Sequence, residues 1–153
     1  MRDILQDIHQ YNQQLTISQV VTFFERKGVT VTKSMIQNYV RDGLLAPPLS
    51  KRHYTPKHLA TLAVINELKT VYEMATVKAA LMPLMDGEGI SLEVYKRIIQ
   101  KTESLAACWH KNVEPFFLDI KGKEEILILM AHSVDLKDEG IRRLSINEKV
   151  VPV

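Results

Sequence analysis

The chain has 153 residues, 46% of them hydrophobic and 25% charged, with a formal net charge of +2. That is enough apolar material for a core without disulfide or metal staples, and the mixed signs exclude a disordered polyelectrolyte. The lone cysteine, Cys108, excludes an internal disulfide and a cysteine-rich zinc site, and no apolar run is long enough to span a bilayer.

In chain order, Ile4, Leu5, Ile8 and Tyr11 recur at spacings of three and four and predict a short leading helix over 3–11. The first residues lack a basic leader with an apolar centre and a cleavage site, so the sequence predicts a cytoplasmic protein with no membrane contact. Thr16 with Gln19 has the capping-box pattern and opens a helix through Val20, Val21, Phe23 and Phe24 that stops at Gly28. Thr32 is the next cap, followed by Met35, Ile36, Tyr39 and Val40 on one helical face and by Gly43 at the left-handed terminating position. Two short helices joined by Val29, Thr30 and Val31 form the pattern of a helix-turn-helix, one that unrelated helical hairpins share.

The stretch 44–54 is broken by Pro47 and Pro48 and suits a small two-stranded wing. Thr55-Pro56 then starts a helix marked by Leu59, Leu62, Ala63, Ile65 and Leu68 that reaches about Val71, and a shorter one runs from about Met74 to near Pro83. Asp86-Gly87-Glu88-Gly89 is the clearest break and sets the expected domain boundary. Beyond it, Leu92, Tyr95, Ile98, Ile99, Leu105, Ala106 and Trp109 stripe a long helix that Pro115 ends. Residues 124–136, with Ile126 through Met130 in a row, fit a buried helix or a core strand, and the charged flanks favour the helix.

The expected fold is therefore mostly α: a winged helix-turn-helix with a small β-wing, followed by a helical C-terminal region. Residues 1–85 would hold the leading helix and winged domain, 90–140 a helical C-terminal region, and 141–153 a loosely held tail.

Charge is unevenly spread. Between Glu25 and His58 seven basic residues face two acidic ones, so this stretch carries +5 and the remainder −3. A basic block in an otherwise acidic chain suits a polyanion partner, although a solvated charged face has the same composition. On the second predicted helix Ser34, Gln37, Asn38 and Arg41 lie opposite the apolar stripe. Amide side chains can pair with adenine edges and arginine with guanine or phosphate, while Lys33 and Ser34 stand at the helix N-terminus, where phosphate is favoured. The wing adds Lys51, Arg52, His53 and Tyr54 on one hairpin able to follow a phosphate backbone, and Lys57 opens the next helix. A tyrosine closing a wing is as readily half core as contact.

Gln37-Asn38-Tyr39-Val40-Arg41-Asp42-Gly43-Leu44-Leu45 is followed by Arg52-His53-Tyr54-Thr55 and then by Leu59, Leu62, Ile65 and Leu68. In order and spacing this resembles the DNA-binding domain of the MerR family of bacterial regulators. Their recognition helix commonly ends Arg-Tyr-Tyr-Glu-x-x-Gly-Leu-Leu, and their wing closes Arg-x-Tyr before a Ser/Thr-capped helix. Gln37 and Val40 depart from that pattern, and the wing is shortened. The chain also resembles an uncharacterised bacterial family of MerR-like proteins with an extra N-terminal helix and a helical C-terminal region.

The resemblance implies a sequence-specific regulator of transcription that binds double-stranded DNA as a homodimer, with residues 91–112 in the place of the dimerisation helix and a C-terminal part open to a small-molecule effector. An intramolecular hairpin between 91–112 and 124–136 is the competing use of the same stripe. The rival function is a winged-helix module whose basic face binds an acidic protein rather than DNA. No nucleophile elbow, phosphate loop or helical metal-binding histidine pair is present, so neither catalysis nor a cofactor is expected. Cys108 and His110 supply two metal ligands where three or four are needed, and Cys108 reads better as a core thiol. Tyr95, Trp109, Phe116 and Phe117 read as core or, less commonly, as the lining of an effector pocket.

Overall fold

The computed structural model describes residues 2–6, 14–50, 52–117 and 123–150. Among them are α1 (Ile17–Arg26), α2 (Lys33–Arg41), α3 (Pro56–Leu68), α4 (Met74–Leu81), β1 (Met85–Asp86), β2 (Gly89–Ile90), α5 (Leu92–Val113) and α6 (Lys123–Val150). The chain is mostly helical with one small antiparallel sheet, in which Met85 pairs with Ile90 and Asp86 with Gly89. Its contacts divide into two units, Met1–Gln100 and Lys101–Val153.

Helix ends in the first unit follow local signals. The Thr16 hydroxyl accepts from the Gln19 N–H while the Gln19 side chain accepts from the Thr16 N–H at 2.9 Å, completing the capping box of α1. Thr32 caps α2 by accepting from the Met35 N–H at 3.1 Å. At the far end of α2, Gly43 takes φ +73°, so that its N–H reaches the Val40 carbonyl and the Leu44 N–H the Tyr39 carbonyl. This paired closure needs the left-handed conformation that glycine adopts without strain.

The core of this unit is built around α3, in which every residue from His58 to Ile65 is buried. A helix apolar round its whole circumference has to be wrapped by others. Val20 and Phe24 of α1, Ile36 of α2, Leu81 of α4, Ile90 of β2 and Tyr95 of α5 join it, all nearly sealed from solvent. Each large aliphatic chain so buried contributes about 1.5–3 kcal/mol. Ile4 and Leu5 are buried too, in a turn where Asp3 accepts from the Leu5 N–H at 3.0 Å. The rest of the leading helix expected over 3–11 lies outside the described residues.

Asp86–Gly89, expected to separate two domains, is instead the tip of a hairpin belonging to the first unit. The Ile90 N–H donates to the Thr61 hydroxyl at 2.9 Å, and that hydroxyl donates to the Lys57 carbonyl at 2.8 Å, which fastens β2 to α3. Gly89, at φ +135°, allows this approach, since a Cβ there would stand 2.3 Å from Thr61 Oγ1 and 2.9 Å from the Lys57 carbonyl oxygen. A glycine-rich break thus marks close packing of backbone on a helix, one of the two things a conspicuous glycine can signal.

In the second unit Trp109 lies parallel to His132, with ring centres 6.2 Å apart, and edge-on to His110. A cavity of about 410 Å³ opens between Trp109, Val113 and Phe116 on one side and Ile128, Leu129 and His132 on the other. Residues 141–150, expected as the start of a loose tail, continue α6 as helix. Across Gly140 the Glu139 carboxylate accepts from Arg142 at 2.6 and 2.9 Å and from Arg143 at 2.8 Å, pairs at helical spacing that support the continuation. The same contacts, Arg142 foremost, hold the carboxyl down at a pKa of about 2. Cys108, read as a core thiol, is exposed.

Candidate nucleic-acid interface

On α2 the sequence pattern divides the residues into two faces. Ile36 is fully buried and Met35, Tyr39 and Val40 are half-buried, whereas Lys33, Ser34, Gln37, Asn38 and Arg41 are all exposed. The five predicted site residues of this helix therefore share one open surface, and α1 packs against the other side. Arg41 Nε stands 3.5 Å from Asp42 Oδ1, with both side chains mostly in solvent, a weak pairing that leaves the guanidinium free to turn outward.

Lys78 of α4, which the sequence did not single out, donates from Nζ to the Asp42 carbonyl at 3.0 Å. An ammonium there offsets the negative end of the α2 dipole and fixes where the helix stops. Its partner lies 36 residues away, and no local pattern announces a cap at that separation.

The 44–54 segment is narrower than a regular two-stranded wing. Leu49 and His53 form one antiparallel bridge around a tight turn in which Ser50 takes φ +50°, and Leu15 pairs with Tyr54 through both backbone groups. Arg52 is exposed and His53 half-buried, while Lys51 lies outside the described residues. Tyr54 corrects the expectation of a contact residue: at 5% exposure its ring belongs to the core, edge-on to His58 with centroids 5.3 Å apart. Burial also pushes its phenol pKa up.

Lys57 is half-buried and its ammonium meets Asp86 Oδ2 of β1 at 2.7 Å. The hydrogen bond to Asp86 raises the lysine pKa and lowers that of the carboxyl. The charge expected to face a phosphate is therefore already paired within the fold.

Beneath this surface His58 is fully buried. Its Nδ1 accepts from the Thr55 N–H at 3.0 Å, and its Nε2 meets the Pro47 carbonyl at 3.1 Å. Because a backbone N–H can only donate, Nε2 must carry the ring proton and donate to Pro47. The neutral imidazole thus ties the extended segment to the start of α3. The sequence pattern did not single out His58. Its position at N3 of a Thr-Pro-started helix was the available signal.

Among the described residues no three His, Cys, Asp or Glu side chains come together as a metal site, and no helix is long and apolar enough to cross a membrane. The exposed polar face of α2, with Arg52 on the hairpin that follows, is the surface best suited to a polyanion. No curated protein and no solved structure matches the chain. A family model described as a domain of unknown function (DUF1836) matches residues 5–98, from the buried leading turn to the first part of α5, and the chain belongs to that family.

Proposed function

We propose that the chain is a winged helix-turn-helix protein, MerR-like in plan, that binds double-stranded DNA sequence-specifically as a homodimer and regulates transcription. The observation that carries this reading is the exposed row Lys33, Ser34, Gln37, Asn38 and Arg41 along one side of a helix whose other side is anchored by Ile36. With α2 in the major groove, Gln37 and Asn38 offer amides to adenine edges and Arg41 a fork to guanine, while Lys33, Ser34 and Arg52 meet phosphates. Dimerisation is supported by Leu127, Met130, Val134 and Ile141 of α6, which recur at helical spacing on an exposed face that a second copy would cover. The cavity beside Trp109 is the candidate place for a small-molecule effector.

Selection from random duplex DNA by the purified protein tests the reading, followed by titration of the enriched site against a scramble across salt concentrations. A two-fold-related motif bound far more tightly than the scramble supports a dimeric regulator. No enrichment, with only weak salt-sensitive binding, defeats it and favours the second reading, a winged-helix module for an acidic protein partner. That reading draws on the pairing of Lys57 with Asp86, which lowers the charge free to meet a phosphate backbone.

A further inference from the structure

The two helices of the second unit leave their shared seam open. Trp109, Val113 and Phe116 recur at spacings of four and three along α5 and the short helical turn after it, and Ile128, His132 and Asp135 recur in the same way along α6. Residues so spaced stand on one side of a helix. Helices packed through such rows interdigitate and leave few voids larger than a water molecule. Here a cavity of about 410 Å³ remains between the rows. That space falls in the range of roughly 300–1,000 Å³ typical of pockets for small organic molecules.

The lining specifies a charge. Trp109, Val113, Phe116, Ile128, Leu129 and Ala131 are apolar or aromatic, the remaining two residues are His132 and Asp135, and no lysine or arginine takes part. Among the described residues Asp135 has no ion pair, whereas Glu139, one turn further along α6, is held by two arginines. Trp109 stands parallel to His132, which is three residues from Asp135, so the indole and the carboxylate lie at the same end of the cavity, with Phe116 and Ile128 towards the other. A carboxylate without a counter-ion repels anions and attracts cations, and indole is the side chain whose π face attracts a cation most strongly.

We propose that this cavity binds an organic monocation with a bulky apolar body, a hydrophobic amine or quaternary ammonium compound. Its head lies between Trp109 and the Asp135 carboxylate, and its body fills the space lined by Val113, Phe116, Ile128 and Leu129. The proposal rests on the reading of this cavity as an effector site and gives that effector its chemistry.

The test uses the full chain without DNA, so that its failure leaves the DNA reading of α2 standing and a chain that selects no DNA can still bind the cation. The probes are the trimethylammonium, alcohol and carboxylate derivatives of one biphenylmethyl frame, titrated by calorimetry and by the emission of Trp109, the only tryptophan of the chain. The ammonium compound should bind and change that emission, with the alcohol about tenfold weaker, as the loss of a cation–π contact and a screened ion pair requires, and the carboxylate weaker still. Asp135→Asn, at an exposed position, should stay folded, weaken the ammonium compound about threefold or more and leave the alcohol unchanged. Trp109→Leu, followed by calorimetry, should also narrow the preference for the ammonium compound over the alcohol. The proposal is overturned if none of the three binds, if the alcohol or the carboxylate binds as tightly as the ammonium compound, or if binding leaves the Trp109 emission unchanged. An undiminished preference for the cation in Asp135→Asn would overturn it as well.

Discussion

The imidazole of His58 joins two parts of the chain that sequence separates: it accepts the Thr55 N–H at 3.0 Å and donates to the Pro47 carbonyl at 3.1 Å. Burial holds its pKa below the ordinary histidine value, against the raising effects of the Pro47 and Ala46 backbone and of Glu88. In the unfolded chain the same ring titrates near 6.5, so just below that pH the unfolded state binds more protons. Stability should be complete above about pH 6.5 and fall as the pH drops, by at most about 1.4 kcal/mol per unit for this one proton. Denaturant unfolding at about pH 7.5 and about pH 5.5 measures it against His58→Gln, whose dependence should be flatter. Equal slopes in the two proteins would mean that His58 is not neutral in the fold.

Gly89→Ala should be among the most damaging single substitutions. The added methyl would meet Thr61 Oγ1 at 2.3 Å and the Lys57 carbonyl oxygen at 2.9 Å, at a backbone φ of +135° that side chains resist. The hairpin can escape only by leaving α3, and a loss of about 3 kcal/mol or more is expected from overpacking and backbone strain together. Thermal unfolding reads the effect directly, and a change within about 0.5 kcal/mol, typical of a plain surface substitution, would show that β2 is not docked as described.

On the proposed DNA-binding function, Arg52 would position the duplex and Asn38 would read it. Arg52→Ala should weaken binding to all duplexes alike and reduce the slope of log K against log salt by about one unit. Asn38→Ala should cost about 1–3 kcal/mol on the preferred site and little on random DNA. If both variants lose the same amount on every sequence, α2 is not the reading element.

Asp86→Asn is expected to strengthen DNA binding. The carboxylate that engages Lys57 at 2.7 Å is removed, and the lysine becomes available to a phosphate. The salt dependence should steepen by up to about one unit while the unfolding midpoint moves little, because exposed ion pairs are worth little. An unchanged slope would place Lys57 outside the interface.

Helices were legible wherever a local signal sufficed. Thr16 with Gln19, Thr32 with Gly43, and Thr55-Pro56 each mark a boundary within a few residues of the atoms that satisfy it, and α1, α2 and α3 lie where those signals put them. What the sequence hid were partnerships across long separations: Lys78 with the Asp42 carbonyl, Lys57 with Asp86, Ile90 with Thr61. Gly87 and Gly89 looked like a linker because a turn and a close backbone approach use the same residue. Gly140 looked like an end to order because the arginines that bridge it from Glu139 read, one at a time, as ordinary surface charge. For the candidate site, the outward face of α2 followed from helical periodicity. The burial of Tyr54 did not, because a tyrosine in an extended segment can turn either way until its neighbours are known.

The fastening of β2 to Thr61 limits how the chain can be cut. Ile90, Tyr95 and Ile99 share one core with α3, so a fragment ending in the turn at Gly87 would bare part of that buried helix and aggregate. The smallest piece able to fold alone must run through Ile99, almost where the family match ends at residue 98. Whatever activity this unit carries depends on the first turns of α5 as well.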